Sequence, residues 1–298
     1  MTNLTLKQLR YFEAVANFSH FGRAADACSI SQPAISVQIK ELEETLGATL
    51  FERGARQVKL TGFGTTFAAR AREILRAVDD LTDLGRATSD QLAGKLRLGI
   101  IPTIAPYLLP RVIGNLSLSY EGLDLHIRET MTDKLITELS EGRLDTAIVA
   151  LPISEPSLFE TPLFDEDFVL VRPKADGEMP VPNAASLSEM RLLLLEEGHC
   201  FRDQALSFCG MRAPLPRDGM DGSSLSTLVQ MVGTGIGVTL IPEMAVRIET
   251  KSADVAISRF EAPAPARTVG MVWRKTSPLT KQFMQIADVV KRSAEAMG

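Results

Sequence analysis

Two thiols stand close together in "EEGHCFRDQALSFCG", residues 196–210: Cys200, directly after His199 and two residues before Arg202, and Cys209. A thiolate attacks peroxide to give a sulfenic acid, and a second thiol can condense with that acid to a disulfide. His199, Arg202 and, from a distant strand, Arg267 are residue types that stabilise a thiolate. The Ala, Leu and Gln content of "RDQALSFCG" predicts a helix. In a continuous helix that spacing is a rise of about 13.5 Å over about 2.5 turns. The thiols would then face opposite sides, beyond the roughly 7 Å between Cα atoms that a disulfide tolerates. Forming the bond requires the segment to unwind and repack, as a switch does. Residue types alone leave a second reading open, two unrelated buried thiols. A metal held by His199, Cys200 and Cys209 has no CxxC or HxxxH spacing behind it, so neither a metal nor a cofactor is expected.

The chain around this stretch has 298 residues, 45% of them hydrophobic and 23% charged, enough for two or three domains with their own cores. Apolar runs such as "LLLL" at 192–195 fall far short of the roughly 20 residues that span a bilayer. No separate apolar stretch with a cleavage site opens the chain, so the expected location is the cytoplasm. Thiols are kept reduced there, and three cysteines do not make a structural disulfide framework; a pair that oxidises would be a sensor or a catalyst. The net charge of −5 opposes a globally basic nucleic-acid binder, though not a small DNA-reading module on an acidic body. Lys+Arg and Asp+Glu balance over residues 1–92, and the remainder carries the excess.

Residues 1–61 have the pattern of such a module. Leu6, Leu9, Phe12, Val15 and Ala16 recur at helical spacing, "FGRAADACS" fits a second helix with Cys28 as core, and a third runs from an N-cap at Ser31 to a stop at Gly47. Its apolar face, Ile35, Ile39, Leu42 and Leu46, leaves Gln32, Ser36, Gln38 and Lys40 outward. With Ala24 and Ala25 as the small contact, these helices describe a helix-turn-helix, whose Gln and Ser side chains can bond base edges in the major groove. "LFERGARQVKLTGFG" adds two short strands turning at Gly54, a wing on which Arg53, Arg56 and Lys59 could meet phosphate. A merely solvated polar face is the plainer alternative.

A long helix is expected over Thr65–Leu92, with a stripe of Phe67, Ile74, Leu75, Val78 and Leu81 that needs a cover. From Gly94 onward strand and helix patterns alternate in the rhythm of a parallel sheet. The chain crosses into a second unit around Pro162–Phe168 and returns near Ala266–Gly270, which predicts two α/β subdomains with a cleft between them. "GTGIG" at 233–237 is a turn before a strand rather than a dinucleotide fingerprint.

Over about 60 residues, "LRYFEAVANFSHFGRAADACSISQPAISVQIKELEETLGATLFER" and the "LTGFG" after it resemble the winged helix-turn-helix of the LysR-type transcriptional regulators. "IPTIAPYLLP", "LFDEDFVL", "GHCFRDQALSFC" and "GTGIGVTLIPEMAV" extend the likeness to the hydrogen-peroxide-sensing members of that family over nearly the whole chain. The resemblance implies a winged DNA-binding domain (1–61) that uses Ser31, Gln32, Pro33, Ser36, Gln38, Lys40, Arg53 and Arg56, and a linker helix (62–92) that pairs with another subunit's. It also implies a periplasmic-binding-protein-like effector domain (93–298), with one subdomain about 93–164 and 268–298 and the other about 165–267. By position Cys200 matches the peroxidatic cysteine and Cys209 the resolving one; Thr103 and Thr132 match hydroxyls that hold peroxide, and His199, Arg202, Asp203 and Arg267 the polar shell. The implied partners are promoter DNA, RNA polymerase, a glutaredoxin- or thioredoxin-type reductant and further copies of the chain, as a homodimer or homotetramer.

Phe201 departs from the Leu common at that position, and "GMRAPLPRDGMDGSS" after Cys209 is unusually rich in Pro and Gly. "SSLSTL" stands where a leading Thr is expected. Two other functions stay open: a LysR-type regulator that responds to a metabolite in the cleft, and a thiol peroxidase. The latter would leave the helix-turn-helix without a purpose.

Overall fold

Thr5 starts the first helix: its hydroxyl accepts from the Gln8 amide, and the Gln8 side chain accepts from the Thr5 amide in return. The computed structural model describes residues 4–53, 58–88, 92–210 and 222–296, without the side chain of Arg53. In α1 (Leu6–Phe18) Leu9, Phe12 and Val15 are buried as their spacing predicts. Leu6 is not: it lies in the first turn, ahead of the buried run that begins at Gln8, and is 44% exposed. His20 caps α2 (Phe21–Ala27) by accepting two backbone N–H groups at Nδ1, and Ala24 and Ala25 are buried. Cys28 is the C-cap of α2 and half-buried, not a core residue within the helix. The third helix, α3 (Gln32–Leu46), begins at Ser31, which accepts from the Ala34 amide, and stops at Gly47 with φ +66°. Strands β1 (Phe51–Arg53) and β2 (Val58–Leu60) pair antiparallel; the expected turn at Gly54, and Arg56, lie outside the described residues.

Helix α4 (Gly62–Ala87) starts three residues before the expected Thr65 and ends five before Leu92. Thr61 caps it, its hydroxyl accepting from the Gly64 amide, while Gly85 and Thr88 weaken its C-terminal end. A β-carbon on Gly64 would run into the Leu50 carbonyl, so the close approach of helix and strand requires glycine. The expected stripe divides. Phe67 meets Phe12 edge-on at 5.0 Å, and Ala68, Ala71 and Leu75 are buried on the same module, whereas Ile74 (46%) and Leu81 (67%) stay exposed.

The chain divides into two compact units between Gly85 and Arg86. In the second, β3 (Gly94–Ile100), α5 (Ala105–Ser119), β4 (Leu123–Glu129), α6 (Thr132–Ser140) and β5 (Thr146–Leu151) realise the predicted rhythm, with β3 parallel to both β4 and β5. Strand β6 (Leu158–Pro173) joins the two subdomains: its first half pairs with β9 (Ala266–Arg274), which pairs in turn with β5, and a bulge interrupts it between Pro162 and Phe164. Its second half pairs with β7 (Thr239–Pro242) and β8 (Val255–Arg259), packed by α7 (Ala184–Glu189), α8 (Cys200–Phe208), α9 (Leu225–Gly233) and α10 (Glu243–Glu249). Helix α11 (Thr280–Glu295) returns to the first subdomain, where Phe283, Ile286 and Val290 pack with Leu98, Val149 and Trp273. Two hydrophobic cores result, one per subdomain. No helix among the described residues is long and apolar enough to cross a membrane.

Candidate functional site

Cys200 is the first residue of α8, after a turn at Gly198 with φ +95°. Along α8 the buried face is Phe201, Arg202, Ala205, Leu206 and the capping Cys209. Phe201 packs 4.7 Å from the Phe168 ring, and its own ring lies 5.7 Å from the Arg267 guanidinium carbon. The half-buried Cys200 packs against the core of the first subdomain, while Cys209 belongs to the core of the second. Burial pushes the Cys209 thiol up from its ordinary value, so it stays protonated at neutral pH. Because α8 is continuous, the two thiols lie about 13.5 Å apart along its axis and are free cysteines.

Opposite this helix end stands a buried guanidinium. Arg267, on β9, donates from Nε to Glu166 Oε2 (2.8 Å), from Nη1 to Thr103 Oγ1 (2.9 Å) and from Nη2 to the Thr103 carbonyl (3.0 Å). Glu166 Oε1 accepts from the Met244 amide in α10, so one carboxylate fixes both the arginine and a helix start. Thr103, accepting from Arg267, keeps its own proton to donate; Thr132, at the start of α6, has a buried Oγ1 with no hydrogen-bond partner among the described residues. Hydrogen peroxide needs both a donor and an acceptor in its host. His199 is buried, and burial lowers its pKa against the opposing pull of Glu196, so near pH 7 it is a neutral imidazole rather than the cation that would support a thiolate by charge. A 340 Å³ cavity between the subdomains touches Thr103, Met131 and His199, and behind it Glu249 accepts from Tyr107 (2.6 Å) and Ser226.

In the first unit Ser31, Gln32 and Pro33 are exposed at the start of α3, and Gln32 Nε2 donates to Ser36 Oγ (3.2 Å) one turn on. Gln38 donates to Glu41 (2.7 Å) and Lys40 pairs with Glu44 (3.6 Å). Neighbouring carboxylates thus hold both side chains, and binding phosphate would require exchanging partners.

Residues 6–65 match the family described as "Bacterial regulatory helix-turn-helix protein, lysR family", and residues 89–295 the "LysR substrate binding domain". This chain belongs to the LysR family. It is similar to a probable hydrogen peroxide-inducible genes activator of Streptomyces viridosporus, 43% identical and covering 97% of this chain and 94% of the relative. It is likewise similar to the DNA-binding transcriptional dual regulator OxyR of Escherichia coli K12, 39% identical over 97% and 95%. Among solved structures, a full-length OxyR variant from Pseudomonas aeruginosa superposes with TM-score 0.79 at 37% identity, covering 98% and 96%. A hydrogen-peroxide-bound OxyR mutant from Corynebacterium glutamicum does so at 0.67 and 34%, covering 98% and 93%.

The LysR-type effector unit brings Thr103, His199, Arg202 and Arg267 into buried positions around the α8 start, with Thr132 half-buried nearby. Asp203 is not in that shell: it is exposed on α8 and borders an open groove with Ser207 and Phe208. Arg202 donates to the Leu195 carbonyl (2.7 Å), which ties α8 to the segment leading into it. Sequence reasoning gave no role to Glu166, although an Asp-Glu-Asp run inside the apolar "LFDEDFVL" is the signal of a buried carboxylate with a partner. It also passed over Gln204, whose Oε1 is buried with no hydrogen-bond partner among the described residues.

Proposed function

We propose that this LysR-type regulator is a transcription activator switched by hydrogen peroxide through a reversible Cys200–Cys209 disulfide. The observation that carries this is the placement of Cys200 at the start of α8, next to Phe201, whose ring faces Arg267, and in a different core from Cys209. The relatives named as hydrogen peroxide-inducible activators support it. Thr103 and Thr132 hold the peroxide, and Arg267 steadies charge on the departing oxygen. The Cys200 thiolate attacks one oxygen; the O–O bond breaks, the leaving hydroxide takes a proton to become water, and Cys200 becomes a sulfenic acid. Cys209 then attacks that sulfur, a second water leaves, and the disulfide closes once α8 unwinds. A dithiol reductant of the glutaredoxin or thioredoxin class reverses it. The cycle serves as a signal and not as substrate turnover, so the protein is not an enzyme.

In this scheme residues 1–61 bind promoter DNA. Ser31, Gln32, Pro33 and Ser36 meet the major groove, and Gln38, Lys40, Arg53 and Arg56 lie toward its edges and backbone. Residues 62–92 pair copies of the chain into a homodimer or homotetramer, and 93–298 carry the sensor, as subdomains of about 93–164 with 268–298 and about 165–267. The protein works in the cytoplasm with RNA polymerase. The test treats the reduced protein with about one equivalent of peroxide and maps its disulfides by peptide mass spectrometry, the stoichiometry following from one sulfenic acid per disulfide. A 200–209 bridge lost in both Cys200→Ser and Cys209→Ser, with a trapped sulfenic acid on Cys200 in the latter, supports the switch. No reaction refutes it and turns attention to a small molecule in the cavity.

A further inference from the structure

Gly198 makes the turn into Cys200 with no side chain of its own, and the space where one would stand is filled from another element: a β-carbon built there would lie 2.8 Å from Met131 Sδ. Met131 belongs to the first subdomain, immediately before Thr132 at the start of α6, and is half-buried. It lines the same 340 Å³ cavity as Thr103 and His199. A thioether thus lines the cavity that Thr103 lines, one residue from Thr132, and stands directly against the backbone of the turn into Cys200.

We propose that Met131 is a second oxidation site, reached by hydrogen peroxide once Cys200 has been consumed, whose sulfoxide desensitises the thiol switch. This rests on the peroxide-binding reading of the cavity. A lone pair of Sδ attacks one peroxide oxygen, the O–O bond breaks and an S–O bond forms, and the proton on the transferred oxygen passes to the departing hydroxide to give water. The thioether is oxidised by two electrons and the peroxide is reduced. The product is polar and chiral where the thioether was apolar and flexible. Against the Gly198 backbone that change displaces the turn into His199 and Cys200. Methionine sulfoxide reductases reverse it, so the sensor recovers only after two different repairs.

The experiment exposes the full-length protein to excess peroxide and follows disulfide and sulfoxide by peptide mass spectrometry. Met179 (59% exposed), Met190 and Met284 serve as internal standards of ordinary reactivity. Met131 is expected to oxidise roughly threefold or more faster than Met179 despite its lesser exposure, since susceptibility there follows the bound oxidant and not access alone; an equal or slower rate overturns the proposal. In a second arm the pre-oxidised protein is reduced with a dithiol, which restores thiols but not thioethers, and bridge formation is timed again. Slowing in the wild type that is absent from Met131→Leu treated identically, and is cured by sulfoxide reductase, supports desensitisation; equal slowing in both overturns it. A bridge without Met131 preference sinks this inference alone, whereas Met131 preference without a bridge sinks the disulfide switch and the desensitisation that depends on it, leaving only the oxidation site.

Discussion

Arg267 holds Thr103 at two points, its hydroxyl at 2.9 Å and its carbonyl at 3.0 Å, and thereby fixes the loop of one subdomain to the strand that returns from the other. Thr103→Val keeps the shape but leaves Arg267 Nη1 without that acceptor in a buried site. The reduced effector unit is expected to lose about 1–3 kcal/mol, the cost of an unsatisfied buried donor. The rate of Cys200 oxidation is expected to fall roughly 10- to 100-fold, by analogy with the loss of one preorganised donor. Quenched-flow alkylation of free thiols measures the rate; an unchanged rate removes Thr103 from the peroxide site.

The buried ionisable groups give stability a maximum. His199 has its folded pKa lowered below the ordinary 6.5, so as pH falls past that value the unfolded chain binds the proton first and stability drops. Cys209 is shifted the other way, raised from 9.0, so its contribution holds below pH 9 and is lost above it as the unfolded thiol ionises. Denaturant midpoints of the reduced protein should therefore decline on both sides of neutrality. His199→Asn should flatten the acid limb alone; an acid limb unchanged in that variant would remove His199 as its source.

Phe201→Leu keeps an apolar side chain but gives up the ring contacts with Phe168 and Arg267. A loss of about 1–2 kcal/mol in the reduced state is expected from the lost aromatic pair and the volume left behind. Urea unfolding of reduced protein checks it, and a neutral result would mean the pocket closes without cost.

On DNA the exposed Gln32 and Lys59 should behave differently. Gln32→Ala is expected to relax base preference at one position of the half-site at a cost of about 1–3 kcal/mol. Lys59→Ala should weaken all sequences alike and lower the salt slope by about 1. Fluorescence anisotropy across a salt series separates the two, and identical effects would place both residues on the backbone.

Along α4, Ile74 and Leu81 are exposed while Leu75 is buried on the chain's own module. If a second copy covers them, Leu81→Asp should raise the dimer dissociation constant by roughly tenfold or more, since a charge buried in an apolar seam costs over 1.4 kcal/mol. Sedimentation velocity on the full chain decides; an unmoved dissociation constant places the interface elsewhere.

The local signals in the sequence carried far. Ser31 and Gly47 bound α3 because a cap hydroxyl and a left-handed glycine act on their own neighbours, and Cys200–Phe208 is helical because its residues favour it. What depends on distant partners was not legible. Leu6 has a core residue's spacing but lies ahead of the buried run; Asp203 is near Cys200 in sequence but exposed to the open groove; Glu166 and Met131 matter only because Arg267 and Gly198 are folded against them. The end of α4 moved by five residues, since helix ends depend on weak balances of propensity.

The separate burial of the two thiols gives the reduced protein a restoring force. To meet Cys200, Cys209 must leave the packing it shares with Leu206 and Val229. If the proposed 200–209 bridge forms, that apolar burial is given up on oxidation and enters the equilibrium as voltage: each 1.4 kcal/mol of packing in the reduced state raises the midpoint potential of such a two-electron couple by about 30 mV. The second subdomain's core, of which only Cys209 takes part in the proposed chemistry, is therefore where the set point of such a sensor would be tuned without touching a residue that meets the oxidant.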